Sequence, residues 1–428
     1  MPYAMDLFCG AGGCSEGLLQ AGFEIPFSSD LSPMAGATYM NRHASLGLVQ
    51  GTNAWFELSD VKDLTGDGIR NAVGKLEPFA RKGVPEFDLV MGGPSCQGFS
   101  RAGLRNPNDP RNMLFGEYVR VVSETRPKYV VLENVEGFVD MQFFGYVGLN
   151  GTRYEDGTTT PKILTNELNE IGYDVLPYRI LDASDYGVPQ RRRRVLFVAH
   201  GRNLPAPSYP KPIPSKRTTV GQALAGLGSA GGSSEYAKES ERGRTPGTDG
   251  RPICEDSPKN SETVVPSDVV AERFSLFLPG ETGAKIRRRI KESGIDVSGV
   301  PALVELCSER TGRTKDEVVA ELKAGGASDE LVDVLLTKKR MRRRLDPNEP
   351  SPTMMSCADD FIHPTEDRPL TVREMARLQS FDDSFEFLGK RTTGGLRRRF
   401  EIPQQTQVGN AVPPLLAKAM AEEIRKVL

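Results

Sequence analysis

Histidine, tryptophan and paired cysteine are scarce in this chain, and each scarcity removes a class of chemistry. Only His43, His200 and His363 and a single tryptophan occur in 428 residues. The six cysteines, at 9, 14, 96, 254, 307 and 357, include no Cys-x-x-Cys pair and no histidine partner at metal-site spacing. Neither a metal site nor a disulfide framework is expected. No apolar run reaches the length that spans a bilayer, and Met1-Pro2-Tyr3-Ala4-Met5-Asp6 carries no basic leader. The expectation is a cytoplasmic protein with reduced thiols. A large excess of one charge is also missing. The formal net charge is −2, which is not the overall signature of a nucleic-acid binder.

What the chain has in quantity is alternation. Short runs rich in Val, Ile, Leu and Phe predict strands at 3–7, 24–29, 89–91, 129–133, 174–180 and 194–199. Stretches of helical period predict helices at 14–21, 114–125 and 162–171 between them. Strands alternating with helices argue for a doubly wound, mostly parallel α/β sheet. Residues 141–161 are long, polar and glycine-rich, and are expected to form a mobile insertion. Residues 201 to about 265 turn proline-rich and then rich in Gly, Ser and charge, as a linker with a mobile insertion does. From Pro266 to about Asp346 a distinct module follows, with amphipathic helices at 316–323 and 328–336. Helices at 371–379 and 414–427 return to the first kind of material. The division is therefore 1–200, 201–349 and 350–428.

Chemistry concentrates at predicted strand ends. Cys96 lies in Gly93-Pro94-Ser95-Cys96-Gln97, just after the run Phe87-Asp88-Leu89-Val90-Met91, where open α/β sheets carry their ligands. It is either a nucleophile or a buried inert thiol. The first strand runs into Asp6-Leu7-Phe8-Cys9-Gly10-Ala11-Gly12-Gly13. This loop lacks Gly-x-Gly-x-x-Gly and phosphate-loop spacing, so it favours an adenosine ligand without a pyrophosphate. Asp30 is placed for ribose hydroxyls and Asp60 for an adenine amine, although either residue type also serves as a turn or helix cap. Glu133 ends a strand at the same sheet edge, and a carboxylate beside a thiol suits covalent chemistry on a heterocycle. Strand alternation sends Arg192 and Arg194 to one face. Basic clusters at 191–194, 287–289, 338–344 and 397–399 are either solvated faces or a phosphate-binding surface.

Together, Gly93-Pro94-Ser95-Cys96-Gln97, Glu133-Asn134-Val135, Gln190-x-Arg192-x-Arg194, the opening Asp-Leu-Phe-Cys-Gly-Ala-Gly-Gly and Gln407-Val408-Gly409-Asn410-Ala411-Val412-Pro413 resemble, in order, the motifs of DNA (cytosine-5)-methyltransferases. The resemblance covers about residues 3 to 200 and 350 to 428. The segment Arg373-Glu374-x-Ala376-Arg377-Leu378-Gln379 is similar to the family helix that supports the target recognition domain. One departure is Ser95, where the family usually has proline. The resemblance implies an S-adenosylmethionine-dependent methyltransferase fold with an inserted target recognition domain, and a base-flipping enzyme acting on duplex DNA. By it, Cys96 adds to cytosine C6, Glu133 contacts N3 and the exocyclic amine, Arg194 contacts O2, and Arg192 orders the pocket. Phe8, Gly10, Gly12, Asp30, Asp60, Val61, Leu114 and Asn410 map onto cofactor-contacting positions. Ser100 and Arg111 map onto the loop that closes over DNA. Lys338, Lys339, Arg340 and Arg342 are candidate phosphate contacts, and Arg287 to Arg289 candidates for base edges. A modification enzyme of a restriction system, acting as a monomer, is the implied setting. A transfer-RNA substrate, known in a related branch, fits the large inserted region less well.

Overall fold

In the computed structural model, which describes residues 1–95, 98–99, 109–213, 217–228, 231–255, 257–355, 360–394, 397 and 400–428, the apolar runs become strands buried on both faces. Four parallel neighbours, β1 (Tyr3–Leu7), β2 (Glu24–Asp30), β3 (Trp55–Leu58) and β4 (Leu89–Gly92), are joined by β5 (Tyr129–Asn134). Two minor strands, β6 (Gln142–Phe143) and β7 (Thr158–Thr159), form a separate hairpin. The main sheet is completed by β8 (Tyr173–Val175), β9 (Arg179–Asp182) and, after the short β10 (Gln190–Arg191), by β11 (Arg193–Gly201). Its order is β3-β2-β1-β4-β5-β11-β8, with β9 also on β11, and β11 runs antiparallel to its neighbours. The strand order reverses between β1 and β4, so a crevice opens at the carboxyl ends there.

Strand alternation divides the core in two. Met5, Leu7, Val90, Val130, Leu132, Val195 and Phe197 face α3 (Gly66–Gly74), α4 (Leu114–Thr125) and α5 (Thr160–Glu170). Those helices follow α1 (Gly13–Gln20) and α2 (Pro33–Ser45) in the chain. Ala4, Leu89, Met91, Tyr129, Val131, Leu196 and Val198 face the other way. There they meet Leu18 and Leu19 of α1 and, from the chain's end, Leu416, Ala417, Met420 and Ile424.

Three expectations change. The single strand expected at 174–180 is two, β8 and β9, because Pro177 between them has no N–H to give to a ladder. The segment 141–161 is packed rather than loose: Phe143 and Tyr146 are buried in the main core, with Tyr146 stacked on Phe115 at 5.7 Å between ring centres. Tyr154 donates to Glu167 at 2.6 Å, tying the segment to α5. The stretch 201–265 is likewise no simple linker. It contributes α6 (Val220–Leu224) and α7 (Glu235–Arg242), whose Val220, Leu224 and Tyr236 share a core with Met375, Leu378, Phe381 and Val408.

The module beyond is helical: α8 (Asp268–Ser275), α9 (Gly283–Ser293), α10 (Pro301–Thr311), α11 (Lys315–Ala324) and α12 (Asp329–Leu336). They enclose a core of their own, from Phe274 to Leu336, to which the return segment adds Ile362. Short strands β12 (Arg343–Arg344), β13 (Ser351–Pro352) and β14 (Phe361–Ile362) lead back to α13 (Val372–Leu378), α14 (Gln404–Asn410) and α15 (Pro414–Arg425). The pairing of β13 with β10 seats the return segment beside β11. In α13, Arg377 donates to Asp383 (2.8 Å) and to the carbonyl of Ala225 (2.8 Å), and so clamps the 220s onto the return segment.

Candidate active site

At the carboxyl end of β1 the backbone turns left-handed at Phe8 (φ 58°) and Gly10 (φ 55°). The left-handed region is unusual for a bulky residue and common at sites whose surroundings hold the strain. The turn aims the Gly10 N–H at Asp30 Oδ2, 2.9 Å away. Asp30 Oδ1 accepts from the Ser32 N–H at 2.8 Å. Burial pushes the Asp30 carboxyl up, and these N–H groups pull it partly back. Each oxygen keeps a lone pair for another donor. Asp60 caps the next turn through the Lys62 N–H, 3.1 Å away.

These residues border a cavity of about 520 Å³. Of the expected cofactor positions, Phe8, Gly10, Asp30, Asp60, Val61, Leu114 and Asn410 line it. Gly12 is not among the lining residues. It caps α1 at φ 106°, and a Cβ there would lie 3.1 Å from the Tyr39 ring, so its lack of a side chain serves the packing of α2 on α1.

The far wall of the cavity is formed by β5 and the start of β11. Glu133 and Arg194 are both buried lining residues, with Arg194 Nε 2.7 Å from Glu133 Oε1. Burial raises the Glu133 carboxyl above its ordinary range, opposed first by Arg194 and then by Arg192. Gly93, at the end of β4, admits this carboxylate: a Cβ on it would stand 2.9 Å from Glu133 Oε2. The next residue of β5, Asn134, donates to the Pro94 carbonyl at 2.9 Å. The glutamate and the stem of the Gly-Pro-Ser loop are thereby held in one register. Cys96 and Ser100 lie outside the described residues. Gly93, Pro94 and Ser95 line the cavity, as does Arg111, which is paired with Asp109 at 2.6 Å.

Arg192 and Arg194 both point to the buried side, as alternation predicts, yet only Arg194 lines the cavity. Arg192 donates to the carbonyls of Gly409 (3.0 Å) and Ala411 (2.9 Å) and holds the turn that carries Asn410. A further correction concerns the basic run. Lys338 and Arg340 are exposed and Lys339 is half-exposed. Arg342 is 5% exposed, its guanidinium 5.3 Å from the centre of the Phe274 ring. It is a core residue of the helical module, not a side chain offered to phosphate. Arg287 and Arg289 are engaged with Asp333 (2.6 Å) and Glu281 (2.8 Å), which leaves Arg288 as the exposed member of its triplet.

Leu31, Phe400 and Ile402 also line the cavity, outside every motif read from the sequence, as does Gln407, which opens the motif that carries Asn410. Leu31 could have been found from its place after Asp30. Phe400 follows a run of arginines and carries no local signal.

The cavity volume lies in the range of small-molecule sites. A carboxylate with spare acceptor capacity and a mostly apolar wall suit an adenosine moiety, so the residues present fit S-adenosylmethionine. The sheet order with its one antiparallel insertion, and the cavity at its reversal point, define an S-adenosylmethionine-dependent methyltransferase. The solved structure of an Escherichia coli prophage protein described as a DNA modification methyltransferase shares this fold, at a TM-score of 0.64 and 23% identity over 100% of this chain and 99% of that one. The chain belongs to the C-5 cytosine-specific DNA methylase family, whose model matches residues 3–426. Among its relatives, the type II methyltransferase M.XorII of Xanthomonas oryzae pv. oryzae is 33% identical over 100% of this chain and 85% of its own length. The type II methyltransferase M.AgeI of Thalassovita gelatinovora is 32% identical over 98% of each. The protein is a DNA (cytosine-5)-methyltransferase that uses S-adenosylmethionine.

Proposed function

We propose that this enzyme methylates cytosine within one short duplex site as the modification half of a type II restriction system, with Cys96 as nucleophile and Glu133 as the acid that activates the ring. The observation that carries the reading is the buried Glu133–Arg194 pair on the wall of a cavity that Asp30 also lines. A carboxyl raised by burial holds a proton more readily, and its acid form can hydrogen-bond to or protonate cytosine N3. Electron density withdrawn from the ring lets the Cys96 thiolate bond to C6. S-adenosylmethionine supplies an electrophilic methyl group, which C5 of the adduct accepts. Loss of the C5 proton and β-elimination of the thiolate restore the aromatic ring and free Cys96. Arg194 orients the glutamate and neighbours the O2 side of the base. Arg192 acts by positioning Asn410.

The helical module of α8 to α12 is the target recognition domain in this reading, with Arg288, Lys338 and Arg340 on its outer face. Both named relatives are type II methyltransferases, which supports the pairing with an endonuclease of the same specificity. No helix among the described residues is long and apolar enough to cross a membrane. The proposed enzyme works as a monomer beside the nucleoid. Transfer of labelled methyl to genomic DNA and, in parallel, to total transfer RNA, followed by base-resolution sequencing, tests the reading. Methyl at C5 within one DNA motif is expected. Label confined to RNA, or scattered over all cytosines, would overturn it.

A further inference from the structure

Singly exposed apolar side chains are common on protein surfaces, so one carries information only where a second feature, such as a place on a cavity wall, marks it. Of those among the described residues, only Leu31 and Phe400 also line the cavity. Phe400 is 85% exposed, although the backbone just beyond it is firmly mounted. Glu401 accepts from Lys390 at 2.9 Å and from Thr393 at 2.7 Å. Gln404 Nε2 donates to the Gly389 carbonyl at 3.0 Å, and Gln407 Nε2 donates to the Ile402 carbonyl, also at 3.0 Å. The ring is therefore an exposed group on an anchored support.

Among the described residues, two aromatic ones line the cavity, Phe8 and Phe400. Phe8 belongs to the strained turn after β1 and is half-buried. Asp30, whose carboxylate suits ribose, is followed directly by exposed Leu31. A purine seated between Asp30 and Asp60 would have its polar edge served by carboxylates and would need apolar cover on the solvent side. We infer that Phe400, with Leu31, forms the outer wall of the adenosyl site and becomes covered when S-adenosylmethionine binds. The inference rests on the assignment of this cavity to the cofactor.

Binding of S-adenosylhomocysteine in the absence of DNA tests it apart from catalysis. Because Phe400 is exposed, Phe400→Ala should keep the wild-type melting temperature while its Kd rises about tenfold, as expected for losing much of a buried phenyl ring. Phe400→Trp should bind like wild type and report binding by a change in emission, read in a Trp55→Phe background because Trp55 is the chain's one tryptophan. An unchanged Kd for Phe400→Ala, or emission from the introduced indole that is indifferent to ligand, would overturn the assignment. Asp30→Ala separates the two levels. If it too binds normally, the cavity is not the cofactor site; if it fails to bind while Phe400→Ala is unaffected, only the outer wall is wrong.

Discussion

Buried acids set the chemistry at the scale of single residues. The Glu133 carboxyl is raised by burial and restrained by Arg194 and Arg192, and the upward direction is the one its proposed role as acid toward a ring nitrogen requires. Glu133→Gln keeps the shape and a donor but has no proton to transfer. Its kcat should fall by about two to four orders of magnitude, with S-adenosylhomocysteine affinity unchanged. A variant that retains most of its turnover would remove Glu133 from the role of acid. Two other buried groups bear on stability. Asp6 accepts from Ser15 at 2.6 Å, and burial pushes it to about 7. His43, stacked on Tyr39 at 3.8 Å, is pushed by burial to about 3. Between about pH 4 and 7 the folded state holds a proton on Asp6 that the unfolded chain has lost, so this group's contribution falls as pH rises. Between about pH 3 and 6.5 the unfolded chain protonates a histidine that the folded state keeps neutral, so that contribution rises with pH. Each has a slope of about 1.4 kcal/mol per pH unit, and they oppose one another over most of the range. Asp6→Asn should therefore expose the histidine's contribution, with the urea midpoint dropping on acidification below about pH 6.5 more steeply than in wild type. Parallel profiles for the two proteins would contradict the burial of these groups.

At the scale of elements, the glycine loop has a second purpose that its sequence does not announce. A Cβ on Gly13 would fall 2.2 Å from the Val412 carbonyl, and one on Gly17 2.5 Å from both the Pro414 carbonyl and Ala417 Cβ. Two glycines of α1 thus let the end of the chain lie against it, and that same end carries Gln407 and Asn410 into the cavity. Gly17→Val should cost about 1–3 kcal/mol in thermal unfolding and should also weaken S-adenosylhomocysteine binding, because the displaced segment forms one wall of the site. Wild-type stability in this variant would show that α15 does not press closely on α1. Strands β1, β4, β5 and β11 were legible because burial on both faces writes mostly apolar runs; Glu133 was legible because it follows such a run, and Asp30 because an acid ends the mixed strand Glu24–Asp30. Edge strand β3 was not: Glu57 interrupts the apolar residues of Trp55 to Leu58, which give neither the continuous apolar run of β4 nor a long alternation. Packing of 141–161 was hidden by composition: a few aromatics anchor a mostly polar stretch. Alternation put Arg192 and Arg194 on one face but reports no partner, so the separation of an ordering Arg192 from a cavity-facing Arg194 came from the family resemblance and not from the pattern.

For the whole molecule, the sheet carries the cavity with Glu133 and Arg194, and the return segment passes from it to the helical module that the proposed function makes the recognition domain. On the proposed reading duplex DNA meets both, and the part of its affinity that comes from phosphate contacts is read in the dependence on salt. The run Lys338 to Arg344 is basic in sequence at every position but Met341, yet divided in space. Lys338 and Arg340 face solvent, whereas Arg342 packs on Phe274 and Arg344 donates to the carbonyls of Phe274 (2.7 Å) and Phe277 (2.9 Å). Removing charge from the two groups should therefore have different consequences. Lys338→Gln with Arg340→Gln should lower the slope of log K against log salt by up to about two, roughly 0.9 for each phosphate no longer neutralised, at an unchanged melting temperature. Arg342→Gln should leave the slope where it is and lower the melting temperature, because it removes a guanidinium packed inside the module. Titrations of the three proteins against a specific duplex over a range of salt decide the matter. A slope that falls for Arg342→Gln and stays constant for the exposed pair would place the DNA on another face of the module.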